Sequence, residues 1–185
     1  MSEPRRDVPS VPLWLLDIDG VVNALAYRPG GDVWPRNQWV RCTITTPVEG
    51  RGVMTLPILA ARPVLDFVSQ VHERGLAEIR WHSTWRDAAM TAFAPKLGLP
   101  TSIQISVAPE WTDRPVGLWW KLAAAQRAVE AGRRLVWTDD DLAVFADQAA
   151  EVGAHPDTLL IGPDPEHGLS PDDLMRIGEF LGIAR

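Results

Sequence analysis

Asp17 and Asp19 close the apolar run VPLWLLDI, Ser83 and Thr84 follow LAEIRWH, and Asp139, Asp140 and Asp141 follow RRLVWT. Acids and hydroxyls at the ends of three apolar runs could do chemistry together. Residues two apart in a strand point to the same side, so Asp17 and Asp19 can address one ligand while Ile18 packs inward. Gathering such carboxylates in one crevice is costly, because two unit charges about 4 Å apart repel by about 4 kcal/mol at an effective dielectric near 20. A divalent cation removes the penalty. Mg²⁺ takes oxygen ligands, keeps several waters and is typically held by one or two carboxylates beside a substrate phosphate. Asp17 and Asp139 are the first-choice ligands.

The elements that must position these residues can be read along the chain. VPLWLLDI suits a buried strand that breaks into a loop at Gly20. Residues 24–57 read as a small flap, loop-like around Arg28-Pro29-Gly30-Gly31, with WVRCTITT and GVMTLPI as two strands joined by a turn at Pro47-Val48-Glu49-Gly50. From Arg62 to Gly75 the apolar residues Val64, Leu65, Phe67, Val68 and Val71 have helical spacing. LAEIRWHS then reads as a strand, RDAAMTAFAPKLGL as a helix with a broken end, and TSIQISVA as a short strand. GLWWKLAAAQRAVEAG is expected to be a helix, RRLVWTDDD a strand, DLAVFADQAAEVG a helix and TLLIG a strand. A last helix starts at Ser170-Pro171, a good cap and first-turn pair. This alternation predicts an α/β chain: a three-layer α/β/α, Rossmann-like fold with a mainly parallel five-stranded sheet and a β-hairpin flap after strand 1. Residues 1–11 read as a loose tail and 12–185 as one domain. In such sheets ligands bind at the carboxyl ends of the strands, where the polar clusters fall.

Four segments in order resemble the motifs of the haloacid dehalogenase superfamily of aspartate-nucleophile phosphohydrolases. They are Asp17-Ile18-Asp19-Gly20, Ser83 after AEIRWH, Lys121 in GLWWKLAAA, and Asp139-Asp140 after RRLVWT. The resemblance implies that Asp17 attacks phosphorus to give an aspartyl phosphate. It implies that Asp19 protonates the leaving oxygen and later activates water, its backbone carbonyl also ligating Mg²⁺. Ser83 would hold a phosphoryl oxygen, Lys121 would offset charge on the phosphate and on Asp17, and Asp140 would orient the metal or its waters. Thr84 is the alternative phosphate ligand. The metal set implied is Asp17, Asp19, Asp139 and Asp140. A second acid at Asp19 is what the phosphatases and phosphotransferases of that family have and its dehalogenases lack. LLDIDGVVN and WHSTW also resemble small domains of this superfamily associated with RNA-end repair proteins. Hydrolysis of a phosphate monoester is the expected reaction, with a phosphotransferase or a non-catalytic phospho-ligand-binding module as alternatives.

Other features bound the reading. Formal charge is -6 over 185 residues, which opposes broad electrostatic binding to nucleic acid or an anionic membrane. A polynucleotide end and a small phosphorylated molecule both stay open as substrates, with a homo-oligomer partner as a way to close the site. Cys42 is the only cysteine, so no intrachain disulfide forms. No apolar stretch approaches the roughly 20 residues of a membrane helix, and a cytoplasmic protein is expected. Asp141 reads as the N-cap of the helix that follows it, and His82 as a packed histidine turned away from the site. Of nine tryptophans, Trp14, Trp81 and Trp137 have core positions, whereas Trp34 and Trp39 in the flap are candidates for substrate contact. Arg28, Arg36 and Arg41 lie near them and could grip an anion.

Overall fold

A computed structural model describes residues 11–26, 31–48, 52–106 and 119–183. The tail at 1–10, Arg28 and the turn residues 49–51 lie outside them. Five short strands, β1 (Leu13–Leu16), β4 (Glu78–Trp81), β5 (Gln104–Ile105), β6 (Leu135–Thr138) and β7 (Thr158–Ile161), form a parallel sheet in the order β5-β4-β1-β6-β7. The chain leaves β1 for one side of the sheet and returns to the other for β6 and β7. A crevice therefore opens at the carboxyl ends beside β1, where strand order reverses.

Side chains of β1 alternate between two cores, as a strand buried on both faces requires. Trp14 and Leu16 join Val64, Leu65, Val68 and Val71 of α1 (Arg62–Glu73) and Ile177 and Leu181 of α5 (Pro171–Leu181). Leu13 and Leu15 join Leu122, Ala125 and Ala128 of α3 (Leu122–Glu130) and Ala149 and Val152 of α4 (Ala146–Gly153). Helices thus cover both faces of the sheet. The Trp14 indole N–H donates to Thr138 Oγ1 at 3.1 Å, which leaves no unsatisfied donor inside the β1–β6 pair. No helix among the described residues is long and apolar enough to cross a membrane.

Several boundaries differ from those expected. The flap is a longer antiparallel hairpin of β2 (Trp39–Val48) and β3 (Gly52–Ala61), running past Pro57 to enter α1 directly. Both Pro47 and Pro57 sit within it, which a two-stranded ribbon tolerates because one edge of each strand needs no ladder partner. The helix expected over RDAAMTAFAPKLGL widens to a π-helical stretch at Ala89–Phe93, where the Ala94 N–H bonds the Ala89 carbonyl, before α2 (Ala94–Leu97). Pro95 has no N–H for the normal ladder at that point. The third strand of the sheet is cut to two residues. Trp119 and Trp120 precede α3 instead of opening it, and Lys121 is its N-cap residue. Between β6 and α4 lies a 3₁₀ turn, Asp140–Ala143, capped by Asp139 and not by Asp141: the Asp139 carboxylate accepts the Asp141 N–H at 3.2 Å. The cap at Ser170 is as expected, with Asp173 completing a reciprocal box.

Candidate active site

Parallel register explains why the acids meet. Leu16 of β1 pairs with Trp81 of β4 and Thr138 of β6, so these three strands end level. The next residues, Asp17, His82 and Asp139, extend the ladder by backbone bonds: Asp17 N to Thr138 O at 3.1 Å, His82 N to Leu16 O at 2.8 Å, and Asp139 N to Ile161 O at 3.1 Å. Asp17 is 5% exposed and Asp139 fully buried, while Asp140 lies half-buried beside them. Asp17, Asp139 and Asp140 each offer a carboxylate oxygen within 4.8 Å of the others.

Gly20 makes this approach feasible. Its φ is +72°, and a Cβ built there would lie 2.4 Å from Asp140 Cγ. Only glycine combines that backbone with that space.

Lys121, 3% exposed, bonds both Asp17 Oδ2 and Asp139 Oδ2, the second at 2.7 Å. The main chain around it is pinned. Trp119 stacks on Trp137 and on Phe145, with centroids 4.7 Å away in each case, and its N–H donates to Gln148 at 2.8 Å. His82, 1% exposed, contacts the Lys121 carbonyl through Nε2 at 3.0 Å and Ser106 Oγ through Nδ1. A carbonyl only accepts, so Nε2 carries the proton and Nδ1 accepts from the serine hydroxyl. Burial pulls this imidazole down to about 3, which keeps it neutral. His82 is thus a packed, hydrogen-bonded support, as its place in the strand suggested.

Charge in the cluster is unbalanced. Burial raises the Asp17 carboxyl, and its bonds from Lys121, Ser83 and the Ile18 N–H only partly oppose this. Burial and then the Asp17 charge push Asp139 up to about 7, and the same causes together with Asp141 push Asp140 up to about 6. Lys121 moves upward as well: burial would lower it, but Asp17 and Asp139 outweigh that. One ammonium among three carboxyls cannot neutralise them all, and the surplus is negative. An all-oxygen donor set with two uncompensated charges fits a hard divalent cation such as Mg²⁺.

The remaining predicted residues divide. Ser83, 6% exposed, bonds Asp17, whereas Thr84 is exposed and lines the adjoining cleft, so Ser83 is the hydroxyl brought into the cluster. The Asp19 side chain stands outside the three-carboxyl group and faces that cleft, which has a volume of about 380 Å³. Asp19 Oδ1 accepts from Asn23 Nδ2 at 2.7 Å and Oδ2 from the Trp85 indole N–H at 2.8 Å.

The flap residues chosen for substrate contact are elsewhere. Trp34 is buried and donates to the Leu169 carbonyl at 2.9 Å, and Trp39 donates to the Trp34 carbonyl at 3.2 Å. Neither lines the cleft, and neither do the exposed Arg36 and Arg41. The hairpin reaches the cleft instead through Thr46, Met54 and Leu56. Sequence reasoning passed over Asn23 and Trp85. Their signal was proximity, Asn23 four residues beyond Asp19 and Trp85 two beyond Ser83.

Comparisons of the chain with protein-family models, with curated proteins and with solved structures give no match.

Proposed function

We propose that the chain is a Mg²⁺-dependent phosphohydrolase of the haloacid dehalogenase type, cleaving a phosphate monoester through an aspartyl phosphate on Asp17. The observation that carries this is the surroundings of Asp17: Lys121 and Ser83 bonded to it, Asp139 and Asp140 beside it, and a second acid, Asp19, turned toward an open cleft.

Each residue has a defined task. The Ile18 N–H holds Asp17 Oδ1 at 2.7 Å and Lys121 holds Oδ2, which fixes the carboxylate plane for in-line attack. An Asp17 oxygen bonds to phosphorus, the bond from phosphorus to the ester oxygen breaks, and that oxygen takes the proton of Asp19. Water then attacks the same phosphorus and gives its proton to the Asp19 carboxylate, while the bond to Asp17 breaks and phosphate leaves. Lys121 and the Ser83 hydroxyl stabilise charge on the phosphoryl oxygens. Mg²⁺, held by Asp17, Asp139 and Asp140 with the Asp19 main-chain carbonyl, would neutralise the transferring group.

Purified protein should turn over members of a broad phosphate-ester panel with Mg²⁺ and stop when a chelator is added. Asp17→Asn should abolish turnover while the protein stays folded. A folded, metal-loaded wild type with no activity on any ester would overturn the reading.

A further inference from the structure

We propose that the cleft beneath the hairpin receives the leaving group of the ester and that Trp85 is the residue that positions Asp19 toward it. The inference rests on the hydrolase reading above.

The oxygen released from phosphorus must meet Asp19, so whatever is attached to that oxygen extends into the space Asp19 faces. That space is bounded by Thr46, Met54 and Leu56 of the hairpin and by Thr84, Trp85 and Arg86 of the turn after β4. About 380 Å³ is the size of a site for one compact small molecule, and Met54, Leu56 and Trp85 give it apolar walls. Arg86 and Asp87 add a charged side, so the substrate class that fits is a small monoester whose alcohol has an apolar portion that meets Met54, Leu56 and Trp85.

Trp85 has two roles here. Trp85 is 9% exposed and its ring packs edge-on against Phe93, with centroids 5.3 Å apart, so the core sets its orientation. From that fixed ring the indole N–H reaches Asp19 Oδ2, while Asn23 takes Oδ1. A carboxyl group has about four acceptor directions, and two are filled by these donors, so rotation is blocked and the others remain for the travelling proton. The turn that delivers Trp85 is held at a cost: Arg86 has φ +48°, uncommon for a long side chain, and its N–H returns to the Ser83 carbonyl at 3.2 Å. A strained turn between the phosphate-side serine and the cleft keeps the two in fixed relation.

Protonation matters most when the leaving group is a poor one. We would compare wild type and Trp85→Phe on 4-nitrophenyl phosphate and on methyl to butyl phosphates. Phenylalanine keeps a ring against Phe93 and removes the N–H. The variant should lose roughly 10- to 100-fold in kcat/KM, which reports the steps through leaving-group departure, on the alkyl esters and a clearly smaller factor in kcat/KM on the nitrophenyl ester, with circular dichroism and thermal unfolding showing that it is folded. In the wild type, kcat/KM should rise as the alkyl chain lengthens. An equal loss on both ester types, or no loss, would overturn the positioning role, and a flat response to chain length would overturn the leaving-group site. A wild type inactive on every ester removes the hydrolase reading itself, and this inference with it.

Discussion

Lys121 Nζ lies 2.7 Å from Asp139 Oδ2 and also bonds Asp17, so one buried ammonium joins carboxyls delivered by neighbouring strands β1 and β6. Removing it leaves those carboxyls facing each other without a counter-charge. Breaking a buried pair from one side costs about 3–5 kcal/mol. Lys121→Ala should therefore lower unfolding stability by about that amount in urea with chelator present, and excess Mg²⁺ should recover part of it. Activity should fall by at least about 100-fold, as when a preorganised charge-stabilising donor is lost. A variant as stable as wild type without metal would contradict the pairing.

Protons and metal should compete for the same oxygens. Asp139 is raised to about 7 and Asp140 to about 6, so the folded protein binds protons that the unfolded chain, near 3.8, has already released. Their contribution to stability is complete below about pH 4 and is lost as pH rises through 6 and 7. In chelator, this contribution to stability should therefore decline from pH 5 to pH 8. Metal binds the deprotonated form, so the gain in Tm on adding Mg²⁺ should grow over the same interval. A Mg²⁺ increment independent of pH would count against these carboxyls as ligands.

Gly20 should tolerate no side chain. Gly20→Ala forces a left-handed backbone on alanine and sets its Cβ 2.4 Å from Asp140 Cγ. The expected result is a loss of about 1–3 kcal/mol and weaker Mg²⁺ affinity, read by thermal unfolding and by calorimetric titration. Unchanged metal affinity would show that Asp140 is dispensable for binding.

Asn23 couples the hairpin to the acid. Its Nδ2 donates to Asp19 at 2.7 Å and its Oδ1 accepts the Leu59 N–H at 2.9 Å. Asn23→Ala strands a buried N–H, which costs about 1–3 kcal/mol. Hydrogen exchange at the Leu59 amide should speed up more than at core amides of β1, and equal acceleration everywhere would indicate a purely global effect.

The sheet and its acid-bearing ends were legible because apolar runs stopped at polar residues, and parallel strands of matched length bring those stops level. Asp17, Ser83, Asp139 and Asp140 meet for that reason, and Lys121 reaches them from the start of α3. What escaped depends on contacts far apart in sequence. Trp34 looked like an exposed flap residue, yet its indole reaches Leu169 across 135 residues and is drawn into the core. Trp85 drew no assignment from the sequence, because its bond to Asp19 arises only when β4 lies beside β1. The flap's length was understated because Pro47 was placed in the turn and the second strand was ended with GVMTLPI, whereas the ribbon takes in Pro47 and runs on to Ala61.

The central claim is that Asp17 accepts a phosphoryl group, and beryllium fluoride, which mimics that group on a carboxylate, tests it without knowledge of the substrate. With Mg²⁺ and beryllium fluoride, fluorine NMR should show a bound resonance for the wild type that is absent in Asp17→Asn and disappears with chelator. A folded wild type that gives no bound resonance, or an Asp17→Asn variant that keeps it, would contradict the assignment of Asp17 as the nucleophile.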